Sequence, residues 1–210
     1  MTSTLPARAP GAGGVAPVAL VSESALRQNA RLAAGGDDVL AADAYGHGAA
    51  WVASVLADLG MDAGALDAGM LYGLPGSHAR PVMSLRGRAL GTKPLLRGEG
   101  VSYGYTHRAP RDTTVALVTG GYAQGVVRAL GNAATVSIEG RRHRIVGRVA
   151  MDVSVVDVED AVVPRGTEVV FFGDPSNAHP SLEEWTDATG WTAAEIVAAV
   201  GVRAERRIVA

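Results

Sequence analysis

The chain contains no cysteine, so it can build neither a disulfide framework nor a thiolate metal site. It is nearly without lysine: 18 of its 19 basic residues are arginine, and Lys93 is the exception. Chemistry that needs a lysine amine must therefore use Lys93 or do without. No stretch approaches the roughly 18 unbroken apolar residues of a membrane span, so no membrane partner is expected. The formal net charge of -2 comes without a basic stripe, which argues against a nucleic-acid partner. Residues 1–12 lack the apolar core of a secretion signal and read as a loose tail. With these absences, a cytoplasmic location is the expectation. What is present is an ordinary globular composition: 210 residues, 48% apolar and 19% charged, enough for one large domain or two small ones.

After a Gly/Ala/Pro lead-in, Val18 to Val21 reads as a strand and Ser22 or Ser24 as the cap of a helix carrying Leu26, Ala30 and Ala33 on one face. Asp38 to Ala42 reads as a second short strand, followed by the turn Asp43-Ala44-Tyr45-Gly46-His47-Gly48. A helix with Trp51, Val52, Val55, Leu56 and Leu59 at helical spacing comes next, stopped by Gly60. Pro75-Gly76-Ser77 marks a turn, and the domain boundary is placed near Ala79. From Pro81 the pattern turns to β. Val82 to Leu90, Val101 to Tyr105, Thr113 to Thr119, Val149 to Val158 and Glu168 to Phe172 read as strands, and Thr135 to Val146 as a hairpin turning at Glu139-Gly140. Ser181 with Glu184, and Thr192 with Glu195, form capping boxes that each open a short helix.

The stretch with the most chemical interest is Glu99-Gly100-Val101-Ser102-Tyr103-Gly104-Tyr105-Thr106. Its small residues leave the Tyr103 hydroxyl open to close approach, and a phenol is a general base where its surroundings lower its pKa from about 10. A half-buried strand tyrosine with a satisfied hydroxyl is the bland alternative. The five histidines (His47, His78, His107, His143, His179) stand at no metal-ligand spacing and read as surface or turn residues; no metal site is expected.

Taken together, Gly98 to Gly104, Arg108-Ala109-Pro110-Arg111-Asp112-Thr113, Gly121-Tyr122-Ala123 and Ile145-Val146-Gly147-Arg148 leading into Met151-Asp152 resemble the alanine racemase family. Ala42 to Gly48 is similar to that family's first barrel-strand motif, and Asp67 to Gly73 looks like its last. The resemblance implies pyridoxal phosphate (PLP) chemistry on a (β/α)₈ barrel followed by a β domain, in a head-to-tail dimer. In that family two bases face the substrate's Cα, the PLP lysine and a tyrosine lent by the other subunit. On this reading Tyr103 holds the place of the lent tyrosine and Met151 that of a methionine lent to the neighbour's pocket. Tyr122 and Arg148 match residues lining the channel into the site, and Tyr45 matches a tyrosine near the cofactor phosphate.

The departures weigh as much as the matches. Such a barrel takes about 250 residues, yet only residues 1–79 precede the β domain, and the chain runs from the first barrel unit to the last. Ala41 stands where the family motif has the PLP lysine, Gln124 where it has an aspartate, and Ala194 where it has a tyrosine. The fold class expected is mainly β, or α+β. It comprises a racemase C-terminal-like β domain over 80–210, with two short C-terminal helices, behind a tail and a remnant βα unit over 1–79 that cannot close a barrel. The function expected is a truncated, racemase-like dimerisation or regulatory module. On that expectation it is inactive by itself, binds no cofactor, and forms a homodimer or a heterodimer with a full-length racemase. The alternative is an alanine racemase with residual or partner-complemented activity, Tyr103 serving as its base.

Overall fold

In chain order, Val18–Ser22 forms strand β1, burying Ala19 and Val21, and the Ser22 hydroxyl accepts the Ala25 N–H to cap α1 (Glu23–Ala30). The structure, a computed structural model, describes residues 16–210, and the tail expected at residues 1–12 lies outside the described residues. Next come α2 (Ala41–Tyr45), α3 (Ala49–Asp58) and α4 (Ala68–Tyr72), the last capped by Asp67. Strand β2 (Met83–Leu95) is the long spine of the β region. After it come β3 (Gly100–Val101), β4 (His107–Arg108), β5 (Thr113–Thr119), β6 (Thr135–Ile138), β7 (Arg141–Ile145), β8 (Val153–Asp157) and β9 (Glu168–Phe172). Helices α5 (Leu182–Thr189) and α6 (Ala193–Arg203) precede β10 (Glu205–Val209).

Eight strands share one sheet in the order β10-β1-β2-β5-β8-β7-β6-β9, and β9 pairs back onto β2. The pairing closes six strands into a ring and leaves β1 and β10 as a wing on β2. Closing the ring needs β2 to bend, and its register shifts at Leu85/Arg86 and again at Ala89/Gly91. Between them, Gly87 passes so close to β5 that a Cβ there would lie 2.3 Å from the Thr119 carbonyl oxygen.

One apolar core runs through both parts of the chain. Leu26, Leu56, Leu71 and Tyr72 from the N-terminal piece belong to the same buried cluster as Leu85, Phe171, Phe172, Trp185 and Val200. A smaller cluster of Leu95, Val101, Ala109, Val115 and Val146 lies under β3 and β4. Both capping boxes are present: Ser181 N–H donates to Glu184 Oε1 at 3.0 Å and Thr192 N–H to Glu195 Oε2 at 2.8 Å.

Three expected strands are absent or shortened. Asp38–Ala42 is not a strand; the backbone turns left-handed through Ala42, Asp43, Ala44 and Tyr45 (φ 49, 58, 55 and 53). That conformation costs roughly 1–2 kcal/mol per non-glycine residue, and surrounding contacts hold it. Asp43 Oδ1 accepts the Ala49 N–H at 2.8 Å, its other oxygen pairs with Arg206, and Arg206 also donates to Gly46 O at 3.0 Å. Helix α6 closes over the turn at Gly201, where a Cβ would meet Gly46 O at 2.0 Å. The Val101–Tyr105 strand stops at Val101, because positive φ at Ser102, Gly104 and Tyr105 makes the rest a tight turn. Val149–Val158 likewise shortens to β8.

Candidate functional site

Tyr103 sits at the tip of the turn between β3 and β4, 83% exposed, rather than half-buried in a strand. The turn is held from below. Asn132 Oδ1 accepts the Gly147 N–H at 2.7 Å, and Asn132 Nδ2 donates to Thr106 Oγ1 at 3.3 Å. A Cβ on Gly147 would lie 2.9 Å from Val101 O and Ser102 Oγ, so the turn rests directly on that glycine. Arg148 extends under Gly104: its Nη1 lies 3.3 Å from where a Gly104 Cβ would be. The tyrosine is therefore offered outward on a braced platform, with a guanidinium beside its neighbour.

Met151 lies three residues past Arg148 and is 55% exposed. Its carbonyl accepts the Ala123 N–H at 2.9 Å, and Ala150 O accepts the Tyr122 N–H at 3.0 Å, which fixes Tyr122 alongside. Arg128 stacks its guanidinium 4.8 Å from the centre of the Tyr122 ring. Gln124 closes this corner: its Oε1 accepts the Gly121 N–H at 3.0 Å and its Nε2 donates to Asp152 Oδ1 at 2.9 Å. The glutamine amide supplies the N–H donor that binds Asp152, which an aspartate at 124 lacks. Sequence reading noted Gln124 as a departure and missed this partner. Arg148 and Met151 thus lie on one segment, residues 147–152, which also contacts the Tyr103 turn through Gly147 and Tyr122 through Ala150, and Leu96 and Tyr105 are exposed on the chain around the Tyr103 turn.

Tyr45 belongs to a separate cluster. Its ring lies 5.5 Å from that of Tyr72 on α4, and His47 stacks on the other residue's ring at 4.3 Å. His143 is buried in β7 at 6% exposure, which corrects its reading as a surface or turn residue, and His47 lies in a turn as expected but is buried, at 2%. The left-handed turn carries His47 inward, where its Nδ1–H donates to Ala44 O (2.9 Å) and Tyr45 O (3.1 Å) and Nε2 is left without a partner. Burial first, with the Arg206 charge adding to it, outweighs these hydrogen bonds and pushes the imidazole down to about 4.

The sign follows from linkage. The unfolded chain binds a proton at His47 near pH 6.5 and the folded chain does not until about pH 4. Stability from this group is therefore full above pH 6.5 and is lost as the pH falls through that window. Between pH 7 and 4.5, unfolding free energy is expected to fall by about 2–3 kcal/mol more in the native chain than in His47→Phe. Urea melts at the two pH values measure this, and equal falls in the two proteins would contradict it.

The residues do not fit a covalent pyridoxal phosphate site. Ala41 is exposed on the turn that opens α2 and has no amine. The chain's one lysine, Lys93, is on the exposed side of β2 beside an apolar groove formed with Gly100, Val101, Val115, Leu117 and Val155. Among the described residues, no three histidine, aspartate or glutamate side chains are gathered as a metal would need, and no helix is long and apolar enough to cross a membrane.

Residues 82–208 match the family described as alanine racemase, C-terminal domain. The alanine racemase of Frankia casuarinae is 44% identical over 130 residues, 62% of this chain and 34% of that protein. That of Thermobifida fusca is 41% identical over 134 residues, 64% of this chain and 36% of that protein. The solved alanine racemase from Streptomyces coelicolor superposes with a TM-score of 0.64 at 28% identity, covering 80% of this chain and 50% of that one. A racemase structure from Bartonella henselae with covalently bound pyridoxal phosphate gives 0.60 at 29% identity, over 66% and 40%. The matched part thus spans about a third of the curated relatives' length.

Proposed function

Because the chain belongs to the alanine racemase family through its C-terminal β domain, we propose that it is a non-catalytic member that pairs through that domain and lends Tyr103 to a full-length racemase. One observation supports this reading: Tyr103, which matches the family's lent tyrosine, is presented outward on a braced turn, while Ala41 stands where the family motif has its lysine. The general-base role of a phenol needs only the hydroxyl and its positioning, and both travel with the β domain. An internal imine to the cofactor needs a lysine amine at the barrel position, and Ala41 supplies none. The chain therefore holds no PLP in a covalent site and has no racemase activity by itself. Mainly β in architecture, it acts as a dimerisation module in the cytoplasm.

In a mixed dimer, the full-length partner's barrel receives Tyr103, and the partner's own tyrosine meets no barrel. One complete site per dimer remains instead of two. The exposed apolar side chains around the donor turn (Tyr103, Tyr105, Leu96 and Met151) are those such a contact covers. Native mass spectrometry of the chain mixed with the Streptomyces coelicolor racemase is the test. A mixed dimer is expected at micromolar concentration, with activity per dimer halved. Separate species at every mixing ratio would overturn the proposal.

A further inference from the structure

A cleft with a volume of about 710 Å³ lies away from Tyr103, between the linker from Leu74 to Pro81 and the turn from Gly173 to Leu182. That is within the range of small-molecule sites, roughly 300–1,000 Å³. Half-buried Leu74, Pro81 and Leu182 give it apolar surface, over a floor closed by Tyr72, Met83, Phe172 and Val197, each no more than 3% exposed. Its rim carries both signs of charge, with Arg80 on one wall and Asp174 and Glu183 on the other.

The rim charges are poorly spent on each other. Arg80 Nε stands 3.8 Å from Asp174 Oδ2, the far limit of an ion pair, and the Arg80 side chain is 48% exposed. Asp174 Oδ1 is engaged by the Ser176 N–H at 2.9 Å and hydroxyl at 2.7 Å, which fixes the carboxylate and turns Oδ2 to Arg80. The linker is held as firmly. Asn29, buried on α1, donates to Arg80 O at 2.8 Å and Leu71 O at 3.2 Å and accepts the Arg80 N–H at 3.3 Å. Gly73 packs against this linker so closely that a Cβ would lie 2.1 Å from Arg80 O. Two braced walls thus present a guanidinium fork and a carboxylate oxygen, loosely paired, beside an apolar lining.

We infer that this cleft binds a small zwitterion with an apolar body, an α-ammonium and a carboxylate on one molecule. The carboxylate takes the Arg80 guanidinium, the ammonium takes Asp174 Oδ2 with Glu183 nearby, and the side chain covers Leu74, Pro81 and Leu182. A dianion would meet two carboxylates against one guanidinium, and a plain cation would meet Arg80. A neutral apolar molecule would leave the charged rim desolvated without a partner. Inserting a zwitterion gives up a loose, half-exposed ion pair of little value and forms two charge-assisted contacts. Free aromatic amino acids and short apolar peptides share this chemistry. The inference concerns this chain alone and does not depend on pairing with a racemase.

Calorimetric titration with phenylalanine, the dipeptide Phe-Leu, N-acetylphenylalanine and phenylalanine amide tests it. Saturable binding of one or both zwitterions is expected, and the tighter of the two identifies the source. Blocking either charge should weaken binding about tenfold or more, as loss of a charge-assisted contact does. Arg80→Met should weaken the zwitterion about tenfold and leave the already weak amide unchanged. No binding of either zwitterion at roughly 10 mM, or equal affinity for blocked and unblocked ligands, would overturn the inference. The ligand series decides the matter even if Arg80→Met does not fold.

Discussion

Added to a full-length racemase whose own tyrosine base has been changed to phenylalanine, this chain is expected to restore racemisation by about 10²–10⁴-fold, the usual worth of one positioned acid or base. The Tyr103→Phe form of the chain should restore nothing. Each impaired racemase keeps its lysine-bearing barrel and lacks only the phenol from across the interface. Tyr103 is on the surface, and its turn is braced by Asn132 and Gly147. Removing one hydroxyl leaves the turn intact, so the Tyr103→Phe chain should still form the mixed dimer. Mixed dimers without rescue would mean that the donor turn does not reach the partner's site. Rescue by Tyr103→Phe would remove this residue from the chemistry.

The largest stability effect is expected at Trp185. Its side chain is fully buried and meets Phe172 edge-on with ring centres 5.0 Å apart. Through it α5 is fixed to β9, and thus to the strand that closes the six-stranded ring. Trp185→Ala should cost about 3–5 kcal/mol in urea unfolding, from lost transfer energy and the void left behind. The indole N–H has no hydrogen-bond partner. Trp185→Phe removes that orphaned donor along with part of the volume, and should therefore cost less than about 1.5 kcal/mol. A loss below roughly 1 kcal/mol for the alanine variant would mean that α5 is not part of the cooperative fold.

Much of the fold can be read from the residues because its signals are local. Glu139 and Gly140 make the hairpin turn with φ of 49 and 78, and Ser181 and Thr192 cap their helices. Two errors came from local patterns overruled by backbone geometry. Val-Ser-Tyr-Gly-Tyr alternates like a strand, but positive φ at Ser102, Gly104 and Tyr105 folds it into the turn that exposes Tyr103. Asp38–Ala42 reads as apolar and extended, but the Asp43–Arg206 pair and α6 hold the following residues left-handed. Pairings remote in sequence leave no local trace. Strand β1 lies parallel to β10, Val18 opposite Glu205, and no pattern in either segment announces it.

The site was legible in part. The candidate residues Tyr103, Tyr122, Arg148 and Met151 stand in recognisable motifs, and the structure adds the local contacts that hold them. The Asn132 clasp, the Gln124–Asp152 bond and the close approach of Gly147 to Val101 depend on side-chain placement that spacing does not encode. Ala41 is the converse case: one residue, plain in the sequence, bears on the whole chemical reading.

The visible absorption spectrum of the purified chain with added pyridoxal phosphate, followed by borohydride reduction and mass mapping, tests that reading most directly. The account predicts no imine band and no reduced adduct at stoichiometric cofactor. A yellow protein with the adduct on Lys93 would contradict it and would place a cofactor site on β2.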